Sequence, residues 1–169
     1  MIEDMERAWE RLGRTLGGTF AARSRGVVSP ELVLLTADDR PFGRLTPARD
    51  GGTLLRAEDL EARIGPPTDG RYTMTSGGRE LLVAEPAGSE TVLTLRSGDR
   101  SFGARLSLLR GDAVALSAGG GETARVSGNL TNRRYEATFA PEDPDSLPIA
   151  VFLLNHAFTL RRNAFRAGR

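Results

Sequence analysis

The chain has no cysteine, no lysine and no glutamine, and its one histidine is His156. Without cysteine there are no disulfides, no zinc–thiolate or iron–sulfur sites and no thiol catalysis. Without lysine there is no Schiff-base chemistry and no phosphate loop built on the usual lysine. A single histidine rules out metal sites made of several imidazoles. A Ser-His-Asp system would have to use His156 from inside an apolar stretch, with no Gly-x-Ser-x-Gly elbow to partner it. A large charge of one sign is missing too: 23 arginines meet 22 acids, for a net +1. A nucleic-acid binder would show a clustered basic excess. An all-arginine basic set suits phosphate and carboxylate recognition, but its scatter along the chain reads as codon usage in a GC-rich genome.

No apolar run is long enough to cross a bilayer. The longest, Ile149 to Leu160, has nine apolar residues in twelve. At 1.5 Å per residue it covers about 18 Å, short of the roughly 30 Å hydrocarbon core. Its only polar positions form a narrow stripe at Asn155, His156 and Thr159, and a helix so apolar on nearly every side is enclosed by protein. Each large apolar side chain buried there contributes about 1.5–3 kcal/mol, so the segment is read as core. His156 beside Asn155 is read as a hydrogen-bonded core residue. Asp145 or Ser146 can cap the helix, with Pro148 in its first turn.

Two further patterns precede it. Residues 2–16 form an amphipathic helix: Ile2, Met5, Trp9, Leu12 and Leu16 recur at steps of three and four, acids and arginines fill the other face, and Gly17-Gly18 ends it. Residues 19–29 are read as a linker. From Pro30 to Pro141 short apolar runs alternate with Gly, Asp, Asn and Ser, the mark of consecutive hairpins. Examples are Val33–Thr36 with Phe42–Leu45, Tyr72–Thr75 with Glu80–Ala84, and Thr91–Arg96 with Phe102–Leu109. Ala57–Ile64 is assigned one or two helical turns before Pro66-Pro67. Gly119-Gly120-Gly121-Glu122-Thr123-Ala124 matches a dinucleotide fingerprint in form, but an alternating strand follows it where a helix is required, so it is a hairpin turn. The echo of Asp39-Arg40-Pro41-Phe42-Gly43 in Asp99-Arg100-Ser101-Phe102-Gly103 is turn chemistry of the same kind. The fold that follows is mainly β, with hairpins closed around the C-terminal helix. Its parts are a helix over 1–18, the linker over 19–29, and a barrel over 30–169 with its helix at about 147–163.

In the turn-plus-strand units Thr36 to Leu45 and Ser76 to Val83, in Tyr135-Glu136-Ala137-Thr138-Phe139-Ala140-Pro141, and in the apolar helix, the chain resembles the tubby C-terminal-like superfamily. That group includes the LURP-one-related proteins and the phospholipid scramblases. The resemblance implies a closed antiparallel barrel, of about 10–12 strands, around a hydrophobic C-terminal helix. Tubby proteins bind phosphoinositide head groups through Lys and Arg, and that site does not map onto this chain. Scramblases carry an acidic calcium-linked segment before the last helix, where this chain has Glu142, Asp143 and Asp145, which serve equally well as a helix start.

The functional expectation is a non-enzymatic binding module for phospholipid or phosphoinositide head groups, or another anionic ligand, at a membrane surface. Its candidate residues are Arg133, Arg134, Arg161 and Arg162, where the densest basic spots occur. The alternative is a structural or interaction domain using the N-terminal helix, through Trp9, for a partner or a homodimer. No catalytic residues, cofactor, metal, nucleic-acid partner or transmembrane span is expected. The charged start at Met1-Ile2-Glu3-Asp4 does not fit a secretory signal, which places the chain in the cytoplasm, at most peripheral to a membrane.

Overall fold

The computed structural model describes residues 2–168, with the side chain of Ile2 excepted. Ile2's expected place on the apolar face, and the chain ends Met1 and Arg169, lie outside the described residues. Twelve antiparallel strands close into one barrel: β1 (Thr19–Arg25), β2 (Glu31–Leu35), β3 (Pro41–Pro47), β4 (Thr53–Ala57), β5 (Leu60–Ile64), β6 (Tyr72–Ser76), β7 (Arg79–Ser89), β8 (Val92–Ser97), β9 (Arg100–Ser107), β10 (Asp112–Ser117), β11 (Glu122–Gly128) and β12 (Arg134–Phe139). Helix α1 (Ile2–Leu16) precedes them and α2 (Ser146–Ala167) follows. Every strand pairs with its neighbours in sequence, and β1 closes the ring against β12 from Thr19↔Thr138 to Arg23↔Arg134. Closure removes the exposed edges that an open sheet of this size would present.

The hairpin reading and the enclosed helix both hold, and two boundaries move. Of the residues read as a linker, Thr19–Arg25 form β1, so the barrel begins at Thr19 rather than at residue 30. Phe20 and Ala22 point inward and their neighbours outward, but a sequence of small and basic residues shows that alternation weakly. Ala57–Ile64 is no helix: β4 and β5 form a hairpin there, with Glu58 in the left-handed region at φ 53°. Leu55, Ala57, Leu60, Ala62 and Ile64 all face inward. The sequence permits either reading because Ala57, Leu60 and Ile64 also fall at helical steps. The β6–β7 loop shows hairpin chemistry at its plainest, since Gly77 and Gly78 both take positive φ, as a two-residue type I′ loop requires.

Side-chain size decides where α2 sits. It packs chiefly on β10, β11 and β12, whose inward residues include the small Ala113, Ala115, Ala124, Val126 and Ala137 beside the larger Tyr135 and Phe139 of β12. The facing wall is lined by longer side chains, among them Leu32, Leu55, Met74, Leu82 and Leu93. The helix therefore lies off-centre, with every residue from Ser146 to Phe158 buried. It extends past the expected end at 163 to Ala167. Its start is not capped as expected. The Asp145 side chain makes no cap hydrogen bond and instead accepts from Ser97 Oγ at 2.7 Å and Arg100 Nη1 at 2.6 Å. The Ser146 hydroxyl donates to the carbonyls of Ala140 and Asp143.

Helix α1 closes the end of the barrel at which α2 enters. Met5, Ala8, Trp9 and Leu16 are buried, and Trp9 Nε1 donates to Ser76 Oγ at 3.4 Å. Ion pairs Arg11–Asp59 and Arg79–Glu6 flank the contact. The apolar face offered by the alternative reading as a partner surface is thus covered by the barrel itself. The outer wall carries charges such as Arg44, Arg56, Glu61, Arg63, Arg96 and Arg125, the reverse of the apolar band of a membrane-spanning barrel. Among the described residues no helix is long and apolar enough to cross a membrane.

Candidate functional site

An up-and-down barrel sends alternate connections to opposite ends, and here the ends differ in charge. At the entry end of α2, the connections 36–40, 58–59, 77–78, 98–99, 118–121 and 140–145 hold eight acids and one arginine, Arg40. At the exit end, the connections 26–30, 48–52, 65–71, 90–91, 108–111 and 129–133, with the last turns of α2, hold seven arginines and three acids. Such polarity orients a protein in the field of a charged surface.

The exit end divides into two arcs. The first consists of the connections 26–30, 129–133 and 108–111, consecutive around the ring because β1, β12, β11, β10 and β9 are neighbours. Arg161 ties this arc to α2. It is only 1% exposed, and all its N–H groups are used. Nε donates to Leu108 O at 2.9 Å, and Nη2 donates to Leu109 O at 3.2 Å and to Asn129 O. Nη1 donates to Tyr135 Oη at 3.0 Å and to Asn132 Oδ1 at 3.4 Å. Asn132 in turn donates to Phe158 O at 3.1 Å and accepts from Tyr135 Oη. Close backbone approach completes the cluster: a Cβ on Gly128 would stand 2.8 Å from Arg110 O and 2.9 Å from Arg161 Nη1. Arg166 Nη2 reaches Val28 O at 3.2 Å.

The tips that this framework holds are apolar. Among the described residues seven large hydrophobics are exposed, and six of them, Val27, Val28, Leu108, Leu109, Leu130 and Phe165, lie on this arc and the adjoining end of α2. Val27 is 93% exposed and Leu130 72%. Arg25, Arg110 and Arg133 stand beside them, exposed and, among the described residues, without an acidic partner. Acids of this region stand at strand ends: Glu31, paired with Arg44 at 3.4 Å, and Asp112.

In the second arc the connections 48–52 and 65–71 stand away from α2, which leans on the opposite wall, while 90–91 touches it through His156. A cavity of about 310 Å³ opens between them. Asn155, Thr159 and Arg162 line it from α2, and Tyr72, Pro66 and Ile64 from the strands and loops. His156 lies at its inner edge, 4% exposed, with Nε2 at 2.9 Å from Glu90 O and 3.7 Å from Glu90 Oε2. Its ring stacks on Phe152 and meets Tyr72 edge-on. Burial holds the imidazole below its ordinary value. Burial and a hydrogen bond donated to Glu90 Oε2 at 2.9 Å push the Tyr72 phenol up to about 12. His156 is therefore the buried, hydrogen-bonded residue expected, with Glu90 as its partner.

The four candidate arginines separate. Arg133 is exposed on the apolar-tipped arc. Arg134 lies on the outer wall, 3.8 Å from Asp39 Oδ1. Arg162 is half-buried at the cavity. Arg161 is a correction: its donors are spent inside the protein, so it has none left for a head group. Arg25, Arg110 and Arg166, absent from the candidate set, join Arg133 at the exit end. The exposed Val27-Val28 and Leu108-Leu109 pairs were the available signal, since apolar doublets at hairpin tips break the polar rule for turns.

The entry end holds a broader groove, about 700 Å³, between α1, the hairpin tips and Pro141–Pro148. Seven acids and three arginines line it, which does not suit an anion. Arg100 clamps two of those acids, Asp143 at 2.8 and 3.0 Å and Asp145 at 2.6 Å. The guanidinium holds the Asp143 carboxyl below its usual range.

No family model matches this chain, and no curated protein does. Among solved structures, the X-ray structure of a protein from Arabidopsis thaliana is similar, with a TM-score of 0.57 over 82% of this chain and 90% of that one. The two are 12% identical, so the likeness is one of fold.

Proposed function

We propose that this protein is a non-enzymatic module that docks peripherally on anionic membrane surfaces, exit end first. The observation that carries the reading is the gathering of six exposed apolar side chains with unpaired arginines on one arc of one barrel end. Each arginine near an anionic surface contributes about 1 kcal/mol, and apolar tips that enter the head-group layer add burial that salt does not screen. The acidic entry end favours the same orientation by repulsion. Scattered exposed arginines beside apolar tips suit bulk anionic lipid better than one particular head group. The shared fold of the Arabidopsis thaliana protein is consistent with the tubby-like resemblance, whose members include lipid-associated proteins. The reading rests on the arc and not on that likeness. A partner-binding role for α1 loses support because Trp9 is buried against the barrel.

Co-sedimentation tests this. Vesicles of phosphatidylcholine with phosphatidylserine are expected to pellet the protein, less so as salt rises, whereas pure phosphatidylcholine leaves it in solution. Arg110→Glu with Arg133→Glu abolishes pelleting, and Leu109→Ser with Leu130→Ser weakens it at every salt concentration. Failure to pellet with the anionic vesicles at low ionic strength overturns the reading.

A further inference from the structure

The cavity of the second arc has the composition of a binding site. Asn155 is 8% exposed, lines the cavity, and has no hydrogen-bond partner for its side-chain amide among the described residues. The amide atoms open onto the cavity, where solvent or a ligand can pair with them. One and two turns further along α2 come Thr159 and Arg162, on the same face because their spacings from Asn155 are four and seven. Arg162 carries the one full charge of the lining. Its Nε is buried with no partner, and no carboxylate pairs with it among the described residues. The guanidinium lies against the Phe158 ring, 6.0 Å from its centroid. Burial first, and then the positive charge of Arg166 nearby, hold the Arg162 guanidinium below its ordinary value. Around this polar strip the walls are apolar, formed by Leu32, Ile64, Pro66 and Phe152 among others.

We infer that this cavity binds a small monocarboxylate with a compact apolar body, its carboxylate held by Arg162 and by the Asn155 amide. One unneutralised guanidinium balances one negative charge, which favours a carboxylate over a phosphate dianion. Arginine meets a carboxylate through paired N–H groups, and the terminal nitrogens of Arg162 make no ion pair among the described residues. The Asn155 amide and Thr159 hydroxyl complete the polar contacts, and the apolar walls take the rest of the molecule. The volume, about 310 Å³, corresponds to roughly ten waters and lies at the small end of ligand pockets. Pro30 belongs to both this cavity and the membrane-facing arc, but Asn155, Thr159 and Arg162 lie off that arc's loops, and the inference does not depend on its role.

Octanoate tests the inference, with octanol as its neutral counterpart and inorganic phosphate as a competing anion, all without vesicles. On the full chain, titration with octanoate is expected to shift the Asn155 side-chain amide resonances and saturate. Arg162→Met weakens octanoate about tenfold or more and leaves octanol unchanged. Asn155→Ala weakens octanoate less, and Leu109→Ser with Leu130→Ser has no effect. Arg162 is half-buried near the helix end, so its variant retains the native circular dichroism spectrum. The inference is overturned if octanoate does not bind, if octanol binds as tightly, if Arg162→Met binds octanoate like the wild type, or if phosphate displaces it from the Asn155 amide.

Discussion

Arg161 shows how a charged residue becomes architecture. Guanidinium has N–H donors in a rigid fork, and the carbonyls of Leu108, Leu109 and Asn129 with Asn132 and Tyr135 accept all of them. Arg161→Met removes the donors that tie these acceptors to α2, among them the buried Tyr135 and Asn132. We expect a loss of about 3 kcal/mol or more, read as a shift of the urea midpoint, and the 108–111 and 129–133 loops released from α2. His156 makes a second prediction. Its imidazole stays neutral when the unfolded chain, near its ordinary value of 6.5, has begun to take up a proton. Stability is then fully present above 6.5 and falls as the pH drops below it. Asp143, held low by Arg100, contributes stability that is present above the ordinary carboxylate value and lost on acidification through its lowered one. The interval from 6.5 down to about 5 therefore isolates the histidine. Denaturation midpoints should decline over that interval in the wild type and stay flat in His156→Asn.

Among the elements, α1 and α2 close and fill the same barrel by different means. The amphipathic α1 turns one stripe to the barrel end, and Trp9 with its bond to Ser76 is the anchor. Trp9→Ala is expected to cost about 3–5 kcal/mol, measured by chemical denaturation, while the ring of strands persists. Helix α2 has almost no polar face, and its position is set by the alanines of β10, β11 and β12. The helix leaning one way opens the cavity on the other. Both helices were legible in their periodicity, and so were most hairpins in their turn residues. β1 was not, because small and basic residues carry little alternation. β4 and β5 were not, because Ala57, Leu60 and Ile64 satisfy the helical and the strand period together.

At the scale of the whole molecule, the barrel is a polarised cylinder: acids surround the end where α2 enters, and arginines and apolar tips occupy the end where it leaves. The one tryptophan is at the acidic end. If the exit end meets lipid, vesicles containing brominated acyl chains bind the protein and leave Trp9 fluorescence unquenched. Quenching of Trp9 would place the opposite end on the membrane.

The chain's order of apolar and polar residues determined the hairpins, the two helices and the need to bury Ile149 to Leu160, because these depend on periodicities read within a few residues. Tertiary structure alone decided that loops 26–30, 108–111 and 129–133 become neighbours, that Arg161 turns inward while Arg133 turns outward, and that Asn155 and Arg162 face an open space. Those outcomes follow from ring closure and from helix packing against small side chains, which join residues more than a hundred positions apart.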